Sequence, residues 1–197
     1  MGLDSVELIM SAEKLFGIRI SDNEAENINT VQEFADAVYN LISVNPSEKC
    51  LKQIMFYKIR DTLEILNFSN ENIKPDAVVR NLFPKDDLKT NWLIFQSELG
   101  LTLPKLEKLD YNPNISSHIK VFGIKTIKRT LPTTKGTIRQ LIDWIISLNI
   151  EKTIDLKNIT NKHEVERIIA NVIHENMGIP ITEIELEHSI RNDLGID

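Results

Sequence analysis

Apolar residues return at helical spacing through most of this 197-residue chain, and that periodicity constrains its fold more than any other feature. In "SVELIMSAEKLFG", Val6, Ile9, Met10, Leu15 and Phe16 fall on roughly one face of a helix. Asp4 or Ser5 is placed to cap its first turn, and Gly17 to stop it. "NTVQEFADAVYNLI" offers Asn29 or Thr30 as a cap, with Glu33 three residues after Thr30. Val31, Phe34, Val38 and Leu41 follow there at helical spacing. Between the two, "IRISDNEAENI" reads as a loop with a short helical turn, and "NPSEK" at 45–49 reads as a linker. Further helices are expected over "CLKQIMFYKIRDTLEIL", "LKTNWLIFQSELG" (stopped by Gly100) and "TIRQLIDWIISLN" (capped by Thr137). The last is "KHEVERIIANVIHENMG", closed by Gly178 and Pro180. Residues 104–134 are the least regular, with Pro104, Pro113 and Pro132 among Ile- and Val-rich stretches that read as short strands. The expected class is all-α, built as helical bundles.

These pieces repeat in a consistent order. "KGTIRQLIDWIISLN" parallels "INTVQEFADAVYNLI", and "FQSELGLTLP" parallels "AEKLFGIRIS". "TLEILNFSNENIKPDAVVRNLF" parallels "ENMGIPITEIELEHSIRNDLG". The two ends of the chain are each incomplete by themselves. A helix bearing Ile168, Ile169, Val172 and Ile173 needs a partner, and residues 1–44 present a groove that lacks one. Burying each such side chain is worth about 1.5–3 kcal/mol, so the two ends are expected to dock, within one chain or as a swapped dimer.

Composition is that of an ordinary globular chain, 42% hydrophobic and 26% charged. No apolar run approaches the ~18 residues of a membrane helix, and no charged-then-apolar leader precedes Ser5, so a cytoplasmic protein without a membrane partner is expected. Cys50, the only cysteine, excludes an internal disulfide and is expected as a small, at least partly buried thiol. The net charge of −6 is uneven. Residues 1–47 carry 8 acidic against 2 basic groups and residues 151–197 carry 10 against 5, whereas residues 105–140 carry 8 basic against 2 acidic. Acidic surfaces suit basic protein patches and not nucleic acid. The basic stretch "IKVFGIKTIKRT" at 119–130 would meet a phosphate or an acidic neighbour, or simply face solvent.

Little points to catalysis. His118, His163, His174 and His188 lack metal-ligand spacing and read as surface or loop residues. The glycines are scattered as helix stops instead of forming a phosphate loop. Glu183, Glu185 and Glu187 read as a solvated loop, and Trp92 and Trp144 as core. The chain is not expected to be an enzyme or to bind a metal.

The stretch "VELIMSAEKLFGIRISDNEAENINTVQEFADAVYNLI" resembles helices two to four of an acyl carrier protein. "HEVERIIANVIHENMGIPITEIELEHSIRNDLGID" resembles that family's first helix and long loop, up to the Asp before the modified serine. The resemblance implies one carrier domain in circularly permuted order, from residues 1–47 and 151–197, and a degenerate second copy over 48–150, enlarged in its third-helix region. It also implies a place in fatty-acid or polyketide-type synthesis and partners among acyl-transfer or synthase-type enzymes with basic patches. Glu7, Glu13 and Glu33 would be partner contacts, as the family's acidic second helix implies, or a merely solvated face.

Family carriers attach 4′-phosphopantetheine to a serine in an Asp-Ser-Leu motif at the start of the second helix. Aligning Val6-Glu7-Leu8 on the family's Val-Glu-Leu puts that serine's place at Gly2, with Asp197 as the adjacent aspartate. Glycine has no hydroxyl to form the phosphodiester, and the middle copy has "FPKDDLK" there, also without serine. Two readings follow: a carrier-like protein without the arm that acts through protein contacts, or a functional carrier modified at Ser5 in a shifted register and shuttling acyl thioesters.

Overall fold

The structure is a computed structural model that describes residues 2–47, 50–68, 73–84, 86–111, 118–121, 124–128 and 132–197, the two segments within 118–128 by their backbone. In chain order its helices are α1 (Leu3–Phe16), α2 (Asp22–Glu26), α3 (Val31–Leu41), α4 (Leu51–Ile65), α5 (Leu88–Leu99), α6 (Lys108–Tyr111), α7 (Ile138–Leu148), α8 (Ile150–Thr153) and α9 (Lys162–Met177). Strands β1 (His118–Val121) and β2 (Ile124–Lys128) pair as an antiparallel hairpin, the one sheet among the described residues. The fold is helical, as expected. The side chains of the basic stretch 119–130, and of His118, lie outside the described residues.

The chain divides into two compact units, one from residues 1–48 and 146–197 and the other from residues 49–145. The second division falls inside α7, which is buried along most of its length, and not in the turn after it.

In the first unit α9 packs on α3 and α1. Val165, Ile168, Ile169 and Ile173 of α9 are all fully buried, as are Phe34 and Val38 of α3. Polar ties frame this core: Ser11 Oγ donates to Asn176 Oδ1 at 3.0 Å, and Lys162 Nζ meets Asp36 Oδ1 at 2.6 Å. That hydrogen bond raises the Lys162 ammonium above its ordinary pKa, with the Asp36 charge adding to it. The face that α1 buries is not the one its apolar residues suggest. Leu8 and Ala12 are buried, whereas Val6, Met10 and Leu15 are exposed. An helix apolar on most sides has no single stripe to read, and packing against α9 selects the i, i+4 pair Leu8 and Ala12.

Helix ends follow local chemistry. Thr30 caps α3 in a reciprocal box: its side chain accepts from Glu33 N at 3.1 Å while Glu33 Oε2 accepts from Thr30 N at 3.1 Å. Thr30→Ala should therefore cost about 1 kcal/mol of stability in urea denaturation; a change below a few tenths would mean that water replaces the cap. Neither Asp4 nor Ser5 caps α1. The cap is Gly2, without a side-chain bond, and both residues lie inside the first turn.

In the second unit α4 packs on α5, and Lys52 Nζ lies 3.4 Å from Asp143 Oδ1 of α7. Phe83, Trp92 and Phe95 form a buried aromatic cluster with ring centroids 5.1–6.4 Å apart, and Trp92 Nε1 donates to Pro104 O at 3.1 Å. Trp144 packs so closely over Gly136 that a Cβ there would collide with its ring. Cys50 is exposed at the start of α4, contrary to the expectation of a buried thiol, because it stands before the first apolar turn and not within it.

The two units reproduce one pattern of bonds. In the first, Ile190 N donates to Asn29 O (2.9 Å), Val31 N to His188 O (3.1 Å) and Gln32 N to Leu186 O (2.8 Å). In the second, Val79 N donates to Gly136 O (2.9 Å), Ile138 N to Ala77 O (3.0 Å) and Arg139 N to Pro75 O (2.9 Å). Glu13 Oε1 at the end of α1 accepts from Ile20 N, and Gln96 Oε1 at the end of α5 accepts from Leu103 N. Gly17 and Gly100 end these helices in the left-handed conformation, at φ 65° and 70°. After α9 the left-handed residue is Gly178; after α4 it is Asn67, the residue type that best tolerates that region after glycine.

Candidate functional site

The site to test is the start of α1, where residues distant in sequence meet. Val6 N donates to Gly2 O at 3.3 Å, an ordinary i→i−4 helical bond. The next bond toward the N-terminus, from Ser5 N, goes to Asp197 O at 2.9 Å. Asp197 thus supplies the carbonyl that residue 1 would supply, and a Cβ on residue 2 would overlap the Asp197 backbone. The approach of Asp197 is fixed by the turn before it: Gly195 is left-handed at φ 69°, Ile196 is buried, and Ile196 N donates to Ile190 O at 3.0 Å.

A cavity of about 680 Å³ opens beside this junction. Leu8, Phe34, Ile190 and Ile196 give it an apolar floor, with Ser5 and Arg191 at its edge. Arg191 Nε lies 3.7 Å from Asp197 Oδ1, a solvent-exposed pair that adds little stability.

The sequence-derived candidates separate here. Ser5 is half-buried on the cavity wall, and its hydroxyl makes no hydrogen bond among the described residues. Glu7 is exposed on α1. Glu13 and Glu33 are occupied by the backbone, Glu13 accepting from Ile20 N at 2.7 Å and Glu33 from Asn29 N at 2.7 Å. These bonds tie loops to helices and give the two glutamates structural work. What the sequence reading missed is apolar: Leu3 is 74% exposed and Met10 60%, and with Val6 they form an outward stripe beside Asp4 and Glu7. Counting helical register from Leu8 would have found it.

Two of the histidines, His174 and His188, serve the backbone. His174 Nδ1 is 2.6 Å from Ile179 O and His188 Nδ1 is 2.9 Å from Glu183 O. Among the described residues no group of His, Cys, Asp or Glu could hold a metal ion. No described helix is long and apolar enough to cross a membrane.

In the second unit, α5 starts at Asp87, whose side chain accepts from Thr90 N at 3.2 Å; that bonding to Thr90 lowers its pKa. Leu88 stands where Ser5 stands in α1, at the same distance before the capping glycine.

No protein-family model matches the chain, and no solved structure matches it. Curated relatives do. An acyl carrier protein of Buchnera aphidicola (subspecies Acyrthosiphon pisum, strain 5A) is 60% identical over 38 residues, 19% of this chain and 48% of the relative. One of Thermosynechococcus vestitus is 51% identical over 41 residues, 21% of this chain and 51% of the relative. The chloroplastic acyl carrier protein 4 of Arabidopsis thaliana is 40% identical over 45 residues, 23% and 33% of the two chains. The chain spans a third to about half of the length of these relatives. Over about 40 residues, about a fifth of its length, this chain is homologous to acyl carrier proteins.

Proposed function

We propose that residues 1–48 and 146–197 form a carrier-type bundle in circularly permuted order, which works through protein contacts and lacks the phosphopantetheine arm, and that residues 49–145 are a second, altered copy. The observation that carries this is the Ser5 N to Asp197 O bond, which makes Ile196, Asp197, Gly2 and Leu3 follow one another along a single helical start. In that path the residue after the aspartate is glycine. A phosphopantetheine arm needs a hydroxyl there, and the Asp197 backbone leaves no room for a side chain, so the residues do not fit the group. A permuted break in an exposed loop is the kind best tolerated. The bonds repeated in both units support the two-copy reading.

Ser5 carries the second reading, since it lines the cavity with a hydroxyl that makes no hydrogen bond among the described residues. Intact mass after incubation with a phosphopantetheinyl transferase and coenzyme A separates the two. An unchanged mass is expected; a gain of one phosphopantetheine moiety mapped to Ser5 would replace the first reading with the second.

The partners would be acyl-transfer or synthase-type enzymes that present a basic rim around an apolar spot, complementary to Leu3, Val6 and Met10 with Asp4 and Glu7. Met10→Glu should weaken binding to a carrier-using acyltransferase about tenfold in a titration, the effect of removing one central apolar contact. Leu41→Glu, on the end of α3, should leave it unchanged. A cytoplasmic setting belongs to this same proposal, as does completion within one chain as opposed to a swapped dimer.

A further inference from the structure

We infer that the second unit closes, with its own inserted segment, the place that the first unit leaves open, so that each chain offers one ligand-accessible site and not two. The inference rests on the two-copy reading. Leu88 occupies the place of Ser5, and Arg80 that of Arg191, since each arginine follows the residue whose N–H makes the equivalent bond, Val79 or Ile190. Ser5 and Arg191 border the 680 Å³ cavity of the first unit, and Leu88 and Arg80 border a smaller one of about 300 Å³ in the second.

What differs is the cover. In the segment between α5 and α7, residues 101–111 and 132–136 stand where the first unit has only the short loop around α2. All the other residues lining the smaller cavity, Leu109, Asp110, Tyr111, Thr134 and Lys135, come from that segment. Asp110 fastens it. This buried carboxylate accepts from Thr134 N and Thr134 Oγ, each at 2.7 Å, and from Glu107 N at 2.8 Å. Three donors on one carboxylate join the α6 turn to the turn before α7, and such a buried network is rigid when fully satisfied. A second tie runs from Thr133 Oγ to Lys105 O at 3.3 Å. Leu88 lies beneath this cover, buried, whereas Ser5 is half-open.

Thiol accessibility tests the closure. In the full chain with Cys50→Ser removing the exposed native thiol, Ser5→Cys should react with a soluble disulfide reagent about 100-fold faster than Leu88→Cys, the protection expected of a site that must open locally first. Adding Asp110→Ala should speed labelling of Leu88→Cys at least about tenfold and leave Ser5→Cys unchanged. Ile59→Cys, buried in α4, serves as the control and should stay unreactive with Asp110→Ala, so that release of the cover is told apart from unfolding. Equal rates for Leu88→Cys and Ser5→Cys would overturn the inference, as would indifference of Leu88→Cys to Asp110→Ala. Exposure of Ile59→Cys together with Leu88→Cys would overturn the latch role, with Asp110 then holding the whole unit. None of these rates depends on the transferase result.

Discussion

Phe34→Ala should destabilise the unit made of residues 1–48 and 146–197 by about 3–5 kcal/mol, the range for removing a fully buried aromatic side chain. Phe34 is 1% exposed on α3, the helix that packs most closely with α9. Leu15→Ala on α1 makes the comparison, since Leu15 is 39% exposed and its truncation should cost under about 0.5 kcal/mol. Both are read by urea denaturation followed by far-ultraviolet circular dichroism. Equal effects would mean that the α3–α9 core does not carry the fold, and that the two ends of the chain are not one domain.

The elements most legible in the sequence are those with both a periodic stripe and a local stop. α9 has four consecutive apolar contacts at i, i+3/i+4 spacing and Gly178 at its end, and it forms over Lys162–Met177. Thr30 with Glu33 announced the capping box that α3 has. The register of α1 was not legible, because apolar residues surround it and only the partner helix decides which of them is core. The same surplus of apolar residues is what leaves Leu3, Val6 and Met10 facing outward. Glu13 was read as surface because a single sequence shows no sign that a glutamate seven residues before Ile20 will hold its amide. Gln96 and Leu103 carry the same tie, so aligning "FQSELGLTLP" on "AEKLFGIRIS" at that pair of positions is the signal that would have revealed it.

The candidate site was half legible. The register proposed for it rests on Val6-Glu7-Leu8, which puts the glycine at position 2 in the serine's place. The cavity and the Asp197 carbonyl in the α1 ladder depend on long-range packing, which no local pattern encodes. The role of Asp110 was hidden for a related reason: a lone aspartate in an irregular segment reads as solvent-exposed until Thr134 is seen to be its partner.

In the proposed register the carrier-type path runs from Asp197 into residue 2 and lacks only the serine. A rejoined chain tests it most directly, with Asp197 linked to a serine that replaces Met1-Gly2 and new termini opened within 45–49. Covalent neighbours no longer compete for the space that Asp197 and a side chain at position 2 would otherwise contest. Incubated with a phosphopantetheinyl transferase and coenzyme A, this chain should gain the mass of one phosphopantetheine on the new serine, while the native chain gains none. A rejoined chain with native circular dichroism and thermal unfolding that stays unmodified would contradict the claim, as would modification of the native chain.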